Sequence, residues 1–194
     1  NVQAYILKAC VYSGREFPRM DRFGAGGLDA YLKISCGSAK EAKTRVITSK
    51  NPDWNQEIVL RLLVPGGEQG IDAMPPLRMS VMDRDVMDAD DHVASTAISL
   101  KDILDRPKAY EKPKWYCFYG GLRGMEVAFF SRMSKLAKRM NAGYVDGAAY
   151  RGRTLISFTL EPENRRNKHA RARKSIPPVL AKMGKEWRCF LHSQ

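Results

Sequence analysis

The sequence lacks the motifs by which most enzyme active sites are recognised. It contains no GxSxG nucleophile motif, no P-loop and no GxGxxG dinucleotide-binding motif. Its three histidines match no HExxH-type zinc spacing and lie far apart, at His92, His169 and His192. From these absences we predict that the chain is not an enzyme.

Cysteine is scarce, and the cysteines are widely scattered. The four of them form no CxxC pair and stand at Cys10, Cys36, Cys117 and Cys189. A structural zinc site or a dithiol redox motif needs closer spacing. We therefore expect free thiols in a reducing compartment.

Long apolar runs are also missing. No run of about 18 apolar residues occurs, so the sequence predicts no membrane-spanning helix. The start, "NVQAYILKACVY", alternates like a β-strand and shows no secretory signal pattern. Because the chain begins without methionine and inside a predicted strand, we interpret it as a piece of a longer protein.

Charge is distributed unevenly along a chain whose formal net charge is +12. Residues 1–120 carry 17 Lys and Arg against 16 Asp and Glu, a net charge of +1. Residues 121–194 carry 16 Lys and Arg against 5 Asp and Glu, a net charge of +11. The basic part of the protein is therefore its last 74 residues.

Most of the chain reads as short β-strands with period-two alternation, separated by Gly, Pro, Asn or Asp. We predict eight strands, near 4–12, 29–36, 43–49, 54–64, 76–83, 93–99, 114–119 and 153–160. This pattern favours an all-β fold, an eight-stranded antiparallel β-sandwich spanning residues 1–160. Ser99 should cap one helical turn over 99–104.

Two basic segments depart from the strand pattern. Residues 125–140 place apolar and basic side chains on different faces, which predicts an amphipathic helix within an insertion at 121–149. That helix could pack on the sandwich, contact a membrane or bind a protein partner such as calmodulin. Residues 161–194 form a basic extension that could be a linker, a lipid-contact tail or an RNA-binding segment. We do not expect nucleic acid as a partner, because no aromatic residue interleaves the charges of 165–174.

Five aspartates crowd into the nine residues from Asp83 to Asp91. Crowded carboxylates repel one another unless a cation lies among them. An EF-hand is excluded, because counting from Asp83 puts Asp88 where that loop needs glycine and Ala94 where it needs glutamate. Three of these carboxylates, Asp83, Asp85 and Asp91, should converge in a loop between strands, while Asp88 and Asp90 should face solvent.

A second acidic pair, Asp21 and Asp29, flanks the glycine-rich stretch after the first predicted strand. Calcium accepts about six to eight oxygen ligands and tolerates irregular geometry, whereas magnesium prefers fewer carboxylates and more water. Five aspartates from two neighbouring loops therefore suit calcium.

The order of these segments resembles a C2 domain. The stretches that carry the resemblance are "REFPRMDRFGAGGLDAYLKI", "KTRVITSKNPDWNQEI" and "MDRDVMDADDHVASTAISL". The resemblance implies Ca²⁺ as cofactor, with Asp21, Asp29, Asp83, Asp85 and Asp91 as its ligands. Within the C2 domains, "YGG" at 119–121 and "AYRGRTLISFTLEP" at 149–162 look like a module of the ferlins, large vesicle-fusion proteins.

The resemblance implies calcium-dependent binding to anionic phospholipid membranes, on the cytoplasmic face of a vesicle or plasma membrane. Phe23, Val86 and Met87 lie in the acidic loops and suit insertion beneath lipid headgroups. Lys33, Lys43 and Arg45 form a basic surface of the kind that binds phosphoinositides in C2 domains. The alternative function is a calcium-independent phosphoinositide- or protein-interaction module that uses such basic surfaces alone.

Overall fold

Antiparallel strands dominate the structure, a computed structural model that describes residues 1–18, 28–85, 89–122, 132–169, 171 and 175–177. The strands are β1 Val2–Arg15, β2 Asp29–Ser35, β3 Ala42–Lys43, β4 Ile47–Thr48, β5 Asp53–Pro65, β6 Leu77–Asp83, β7 Asp91–Ile98, β8 Lys114–Gly120 and β9 Ala149–Pro162. A 3₁₀-helix covers Gly67–Ala73, and the α-helices are α1 Leu100–Asp105, α2 Pro107–Glu111 and α3 Arg132–Asn141.

The strands form two layers joined along one edge. Their order is β3-β2-β6-β7-β8-β9-β1-β5, with β4 also pairing with β2, and all pairs are antiparallel. Between β7 and β8 a single residue pair is registered, Ser95 with Tyr119, so the sheet turns the corner there. The predicted antiparallel β-sandwich is confirmed.

The sandwich core is formed by the inward-facing residues of both layers. The long side chains at its centre have less than 2% of their surface exposed, and they include Leu7, Leu32, Trp54, Phe118 and Phe158. Trp54 on β5 also donates its indole N–H to the carbonyl of Ala30 on β2, at 3.3 Å. This bond ties one layer to the other beside the start of β2.

One strand prediction was wrong in its continuity. The stretch 43–49 is not one strand: β3 and β4 are separate short strands that pair with different parts of β2. Between them the Thr44 hydroxyl accepts a bond from the Leu32 N–H, which replaces a regular strand contact. The predicted cap is confirmed, because the Ser99 hydroxyl accepts a bond from the Lys101 N–H at the start of α1.

The inserted helix α3 packs on β7 and β8. Its Ala137 is fully buried, and the side-chain oxygen of buried Asn141 accepts a 2.8 Å bond from the Gly121 N–H. The basic Lys135 and Arg139 stay exposed. Of the three roles left open for this helix, the described part supports packing on the sandwich. The first part of the predicted helix, 125–131, lies outside the described residues.

Gly152 in β9 fills a position where no larger residue fits. Its φ is +129°, and a Cβ there would lie 2.4 Å from Cδ1 of Phe17 and 2.8 Å from the carbonyl oxygen of Arg15. We expect Gly152→Ala to lower the free energy of unfolding by about 3 kcal/mol, since strain and overpacking combine. Urea unfolding measures this loss, and exposed Ser38→Ala is the control, expected within about 0.5 kcal/mol of wild type. An unchanged Gly152→Ala midpoint would contradict the packing.

Candidate functional site

Strand pairing brings three of the predicted ligand residues to one end of the sandwich. β2 begins at Asp29, β6 ends at Asp83 and β7 begins at Asp91. In the paired register Asp83 lies opposite Ala30 on β2 and opposite Asp91 on β7. Asp85 follows two residues after Asp83, so four of the five predicted ligands belong to this end. We call it the acidic end, defined by Asp29, Asp83, Asp85 and Asp91. Asp21 lies outside the described residues.

Asp83 is the most buried member of this acidic end, with 4% of its surface exposed. Its position along β6 gives it the same facing as Val81, which lies in the core. Its Oδ1 accepts a 2.8 Å hydrogen bond from the backbone N–H of Asp29. The carboxylate of Asp83 therefore helps to fix the start of β2 against the end of β6.

The carboxylate of Asp29 has partners of its own. One oxygen accepts a hydrogen bond from the Thr48 hydroxyl, and the other lies 3.9 Å from Nη2 of Arg84. The Arg84 N–H also donates to the Asp29 carbonyl at 3.0 Å. Arg84, which belongs to the second acidic segment, thus lies against Asp29, the aspartate at the end of the first acidic segment.

The sequence predicts a solvent-facing Asp90, but this residue is half-buried and its carboxylate bonds to both Tyr31 and the loop backbone. One of its oxygens accepts a bond from the Tyr31 hydroxyl and the other a 3.2 Å bond from the Asp85 N–H. Burial, followed by this bond to Asp90, raises the pKa of Tyr31. No local pattern in the sequence indicates this role, because Tyr31 is 59 residues away.

The inserted helix also reaches the acidic end. Nζ of Lys138 on α3 lies 3.8 Å from Oδ1 of Asp91, and both side chains are largely exposed. Exposed pairs of this kind contribute little stability, about 0–1 kcal/mol. The pair matters because of where it lies: it places Lys138, a cation of the insertion, beside Asp91, a predicted calcium ligand.

His92 follows Asp91 on β7, and its surroundings disfavour the charged form of its imidazole. Burial, then nearby Lys33, lowers the pKa of its imidazole, and Asp91 opposes this only in part. Its Nδ1 has no hydrogen-bond partner among the described residues.

The three predicted basic residues differ in how free their charges are. Lys33 and Lys43 are opposite one another on β2 and β3. Lys33 lies 3.4 Å from Glu41, and Lys43 lies over the ring of Tyr31 at 5.4 Å. Arg45 instead donates to the Trp54 carbonyl at 2.9 Å, so its guanidinium is engaged with the backbone. The predicted membrane-inserting residues, Phe23, Val86 and Met87, lie outside the described residues.

The chemistry of this end suits calcium, but a complete cage is not formed by the described side chains. All four described candidates offer carboxylate oxygens, the donors that calcium prefers. Within the described ranges, no group of three or more His, Cys, Asp or Glu side chains is arranged to hold a metal ion. The arrangement is an acidic strand end whose carboxylates meet the chain's own donors and cations.

The chain matches known proteins over most of the sandwich. Residues 5–118 match the family model of the C2 domain. Myoferlin of Xenopus tropicalis is 23% identical over 200 residues, which cover 82% of this chain and 10% of myoferlin. The Arabidopsis thaliana protein C2-DOMAIN ABA-RELATED 6 is 27% identical over 100 residues, covering 52% of this chain and 51% of that protein. The chain thus spans from a tenth to half of these relatives.

Solved structures support the same fold. A C2 domain of plant Extended Synaptotagmin 1 aligns with a TM-score of 0.50 and 18% identity, over 82% of this chain and 96% of that one. A structure of two C2 domains of Extended-Synaptotagmin 2 aligns with a TM-score of 0.50 and 17% identity, over 80% of this chain and 40% of that one. None of the helices in the described ranges is long and apolar enough to cross a membrane. With the family model matching more than half of its length, this chain belongs to the C2 domain family.

Proposed function

We propose that this C2 domain binds anionic phospholipid membranes when calcium occupies its acidic end. The observation that carries the proposal is the strand register that puts Asp29, Asp83 and Asp91 on neighbouring strand ends, with Asp85 following. C2 domains commonly bind calcium and phospholipid, and the sequence resemblance to the family implies that these aspartates are the ligands. Asp21 would complete the ligand set from the first loop.

Electrostatics explain how calcium would switch the binding. Without calcium the carboxylates of Asp29, Asp83, Asp85 and Asp91 give this end a negative charge, offset in part by Arg84 and Lys138. That end repels anionic headgroups. Bound calcium supplies positive charge that lipid phosphates can share. Arg84 then needs no carboxylate partner in Asp29 and becomes a further cation for the headgroups.

The parent protein, in this proposal, is a large ferlin-like vesicle trafficking or fusion protein in which this domain is one module. Myoferlin supports this, because its similarity extends over 82% of the chain, beyond the 5–118 match. The module would act at the cytoplasmic face of a vesicle or plasma membrane. It would bind lipid and catalyse no reaction.

The direct test replaces two carboxylates without changing their shape. We expect Asp83→Asn with Asp85→Asn to abolish calcium binding in calorimetric titration, because two charged ligands are lost. The fold should persist, since the amide that replaces the Asp83 carboxylate would still present an oxygen to the Asp29 N–H. Asp102→Asn with Asp105→Asn, which changes the same charge on α1, is the matched control and should bind calcium like wild type. Wild-type affinity in the first variant would disprove the site.

Stability provides an independent readout of the same variants. A ligand that binds only the folded state stabilises it by about 2.7 kcal/mol at a hundredfold excess over its Kd. Calcium should therefore raise the melting temperature of wild type and of the α1 control, and leave the Asp83/Asp85 variant unchanged.

The loop residues Phe23 and Met87 should strengthen docking by entering the bilayer. Burial of such side chains contributes about 1.5–3 kcal/mol each. We expect Phe23→Ser with Met87→Ser to retain wild-type calcium affinity but bind phosphatidylserine vesicles at least tenfold more weakly in calcium. Unchanged vesicle binding would show that the loops do not insert. A loss of vesicle binding together with a loss of calcium affinity would show the same, because the residues would then be needed for the calcium site itself.

A second candidate function is calcium-independent binding of phosphoinositides by the basic surface. The side-by-side placement of Lys33 and Lys43 favours it, whereas Arg45 is engaged with the backbone. On this function, Lys33→Gln with Lys43→Gln should weaken binding to vesicles of phosphatidylcholine with a phosphoinositide in EGTA by at least tenfold. Lys108→Gln with Lys112→Gln on and after α2 is the matched control. Equal binding by both variants would rule this function out.

A further inference from the structure

The start of the basic extension is fixed to the sandwich. Beyond β9, the backbone N–H of Glu163 donates to the Ala4 carbonyl at 2.7 Å. The Glu163 carboxylate accepts two bonds from the Arg61 guanidinium, at 2.8 and 2.7 Å. This bidentate pair joins the extension to β5, and it neutralises Glu163, the acidic residue nearest to the basic residues that follow.

Two asparagines then close a turn, called here the basic turn, over residues 164–169. The Oδ1 of Asn164 accepts bonds from the N–H groups of Arg166 and Asn167, and the Oδ1 of Asn167 accepts from the Asn164 N–H. Asn167 also donates to the Pro162 carbonyl at 3.0 Å, and only 7% of its surface is exposed. The turn is thereby held in one shape against the end of β9.

The basic turn directs its basic side chains to solvent. Arg165, Arg166, Lys168 and His169 are all exposed, around the buried Asn167. None of these four forms a salt bridge with a described residue. Arg165, Arg166 and Lys168 form a preordered set of cations, which binds an anionic surface without the ordering cost that a flexible tail would incur.

The extension touches the sandwich again after the basic turn. The Ile176 N–H donates to the Asn55 carbonyl at 2.7 Å, and its side chain is buried with Tyr12 and Leu155 on the outer face of β1 and β9. The basic turn therefore lies in a segment attached at both ends, at Glu163 and at Ile176.

The basic turn and the aspartates lie at opposite ends of the domain. β1 and β9 pair from Tyr5 with Pro162 to Arg15 with Arg153, which is ten residues along β1 and about 30 Å. The turn begins at Asn164, two residues after Pro162. The acidic end lies at the other extreme. The start of β9 pairs with the end of β8, and the end of β8 pairs with β7 at Ser95. Asp91, the first residue of β7, therefore lies at the end of the domain where β9 begins, far from Pro162.

We propose that the basic turn is a second membrane-binding site, one that contacts an anionic bilayer without calcium. Each Lys or Arg near such a surface strengthens binding about fivefold. A bilayer is the partner that the turn fits, since no Phe, Tyr or Trp occurs among residues 163–169 to stack on exposed bases. With calcium at the acidic end, a domain bound at both ends links two bilayers. That linking rests on the proposed calcium function, but the calcium-free contact does not.

The test uses the 1–194 chain and vesicles of phosphatidylserine in phosphatidylcholine, sedimented in EGTA. Arg165→Gln, Arg166→Gln and Lys168→Gln together should weaken binding at least tenfold. The matched control is Lys50→Gln, Lys135→Gln and Arg139→Gln, which removes the same charge from exposed positions elsewhere and should lose less than threefold. Melting temperatures within about 2 °C of wild type establish that both variants fold.

The remaining outcomes overturn the proposal. The first is that the wild-type chain does not bind vesicles in EGTA. The second is that both variants lose the same amount of vesicle binding. The third is that single-stranded RNA displaces the chain from vesicles at a lower concentration than soluble phosphoserine does.

Vesicle clustering, measured by light scattering in calcium, tests the linking of two bilayers. The turn variant should still bind vesicles in calcium but fail to cluster them, whereas Asp83→Asn with Asp85→Asn should keep the EGTA binding and also fail to cluster them.

Discussion

The register of β2, β6 and β7 is the constraint on which the acidic end depends. Leu32, Val81 and Ala94 lie side by side on these strands and are fully buried, so the core fixes their alignment. A one-residue slip would turn each strand's apolar residues outward. The β2–β6 register sets Asp83 beside Ala30, and the β6–β7 register, which shifts by one residue after Val81, sets Asp83 beside Asp91. Hydrophobic packing therefore holds carboxylates together that would otherwise separate.

The acidic end is balanced by the chain's own groups. Asp29 meets Thr48 and Arg84, Asp91 meets Lys138, and Asp90 accepts bonds from Tyr31 and the backbone. These contacts reduce the repulsion among the aspartates. In the proposed function they would compete with calcium for the same oxygens and so would influence the affinity of the site. Lys138 extends that influence to the inserted helix.

The distribution of charge along the domain matters as much as its total. The last 74 residues carry a net charge of +11, and the cations among their described residues lie in more than one place. Lys138 on α3 approaches the acidic end, while the basic turn lies beyond the last residue of β9, past a β1–β9 pairing about 30 Å long. A molecule with opposite charges at its two ends has a direction relative to a membrane. Calcium would change the charge of one end and leave the other as it is.

Local pattern was sufficient to predict most of the strands and the Ser99 cap, and it marked the aspartates that the proposed function assigns to calcium. Alternation reports which residues face a core, and the spacing of Asp83, Asp85 and Asp91 is itself local. Local pattern misassigned Asp90 and joined β3 to β4, because the Tyr31 hydroxyl and the Leu32 N–H act across distant parts of the chain. Local pattern also left the role of residues 161–194 undecided. Only folding brings Arg61 to Glu163 and Asn55 to Ile176. The sequence by itself determined which residues are apolar, acidic or basic. The tertiary structure decided which of them meet, because contacts between distant residues exist only after the strands have paired.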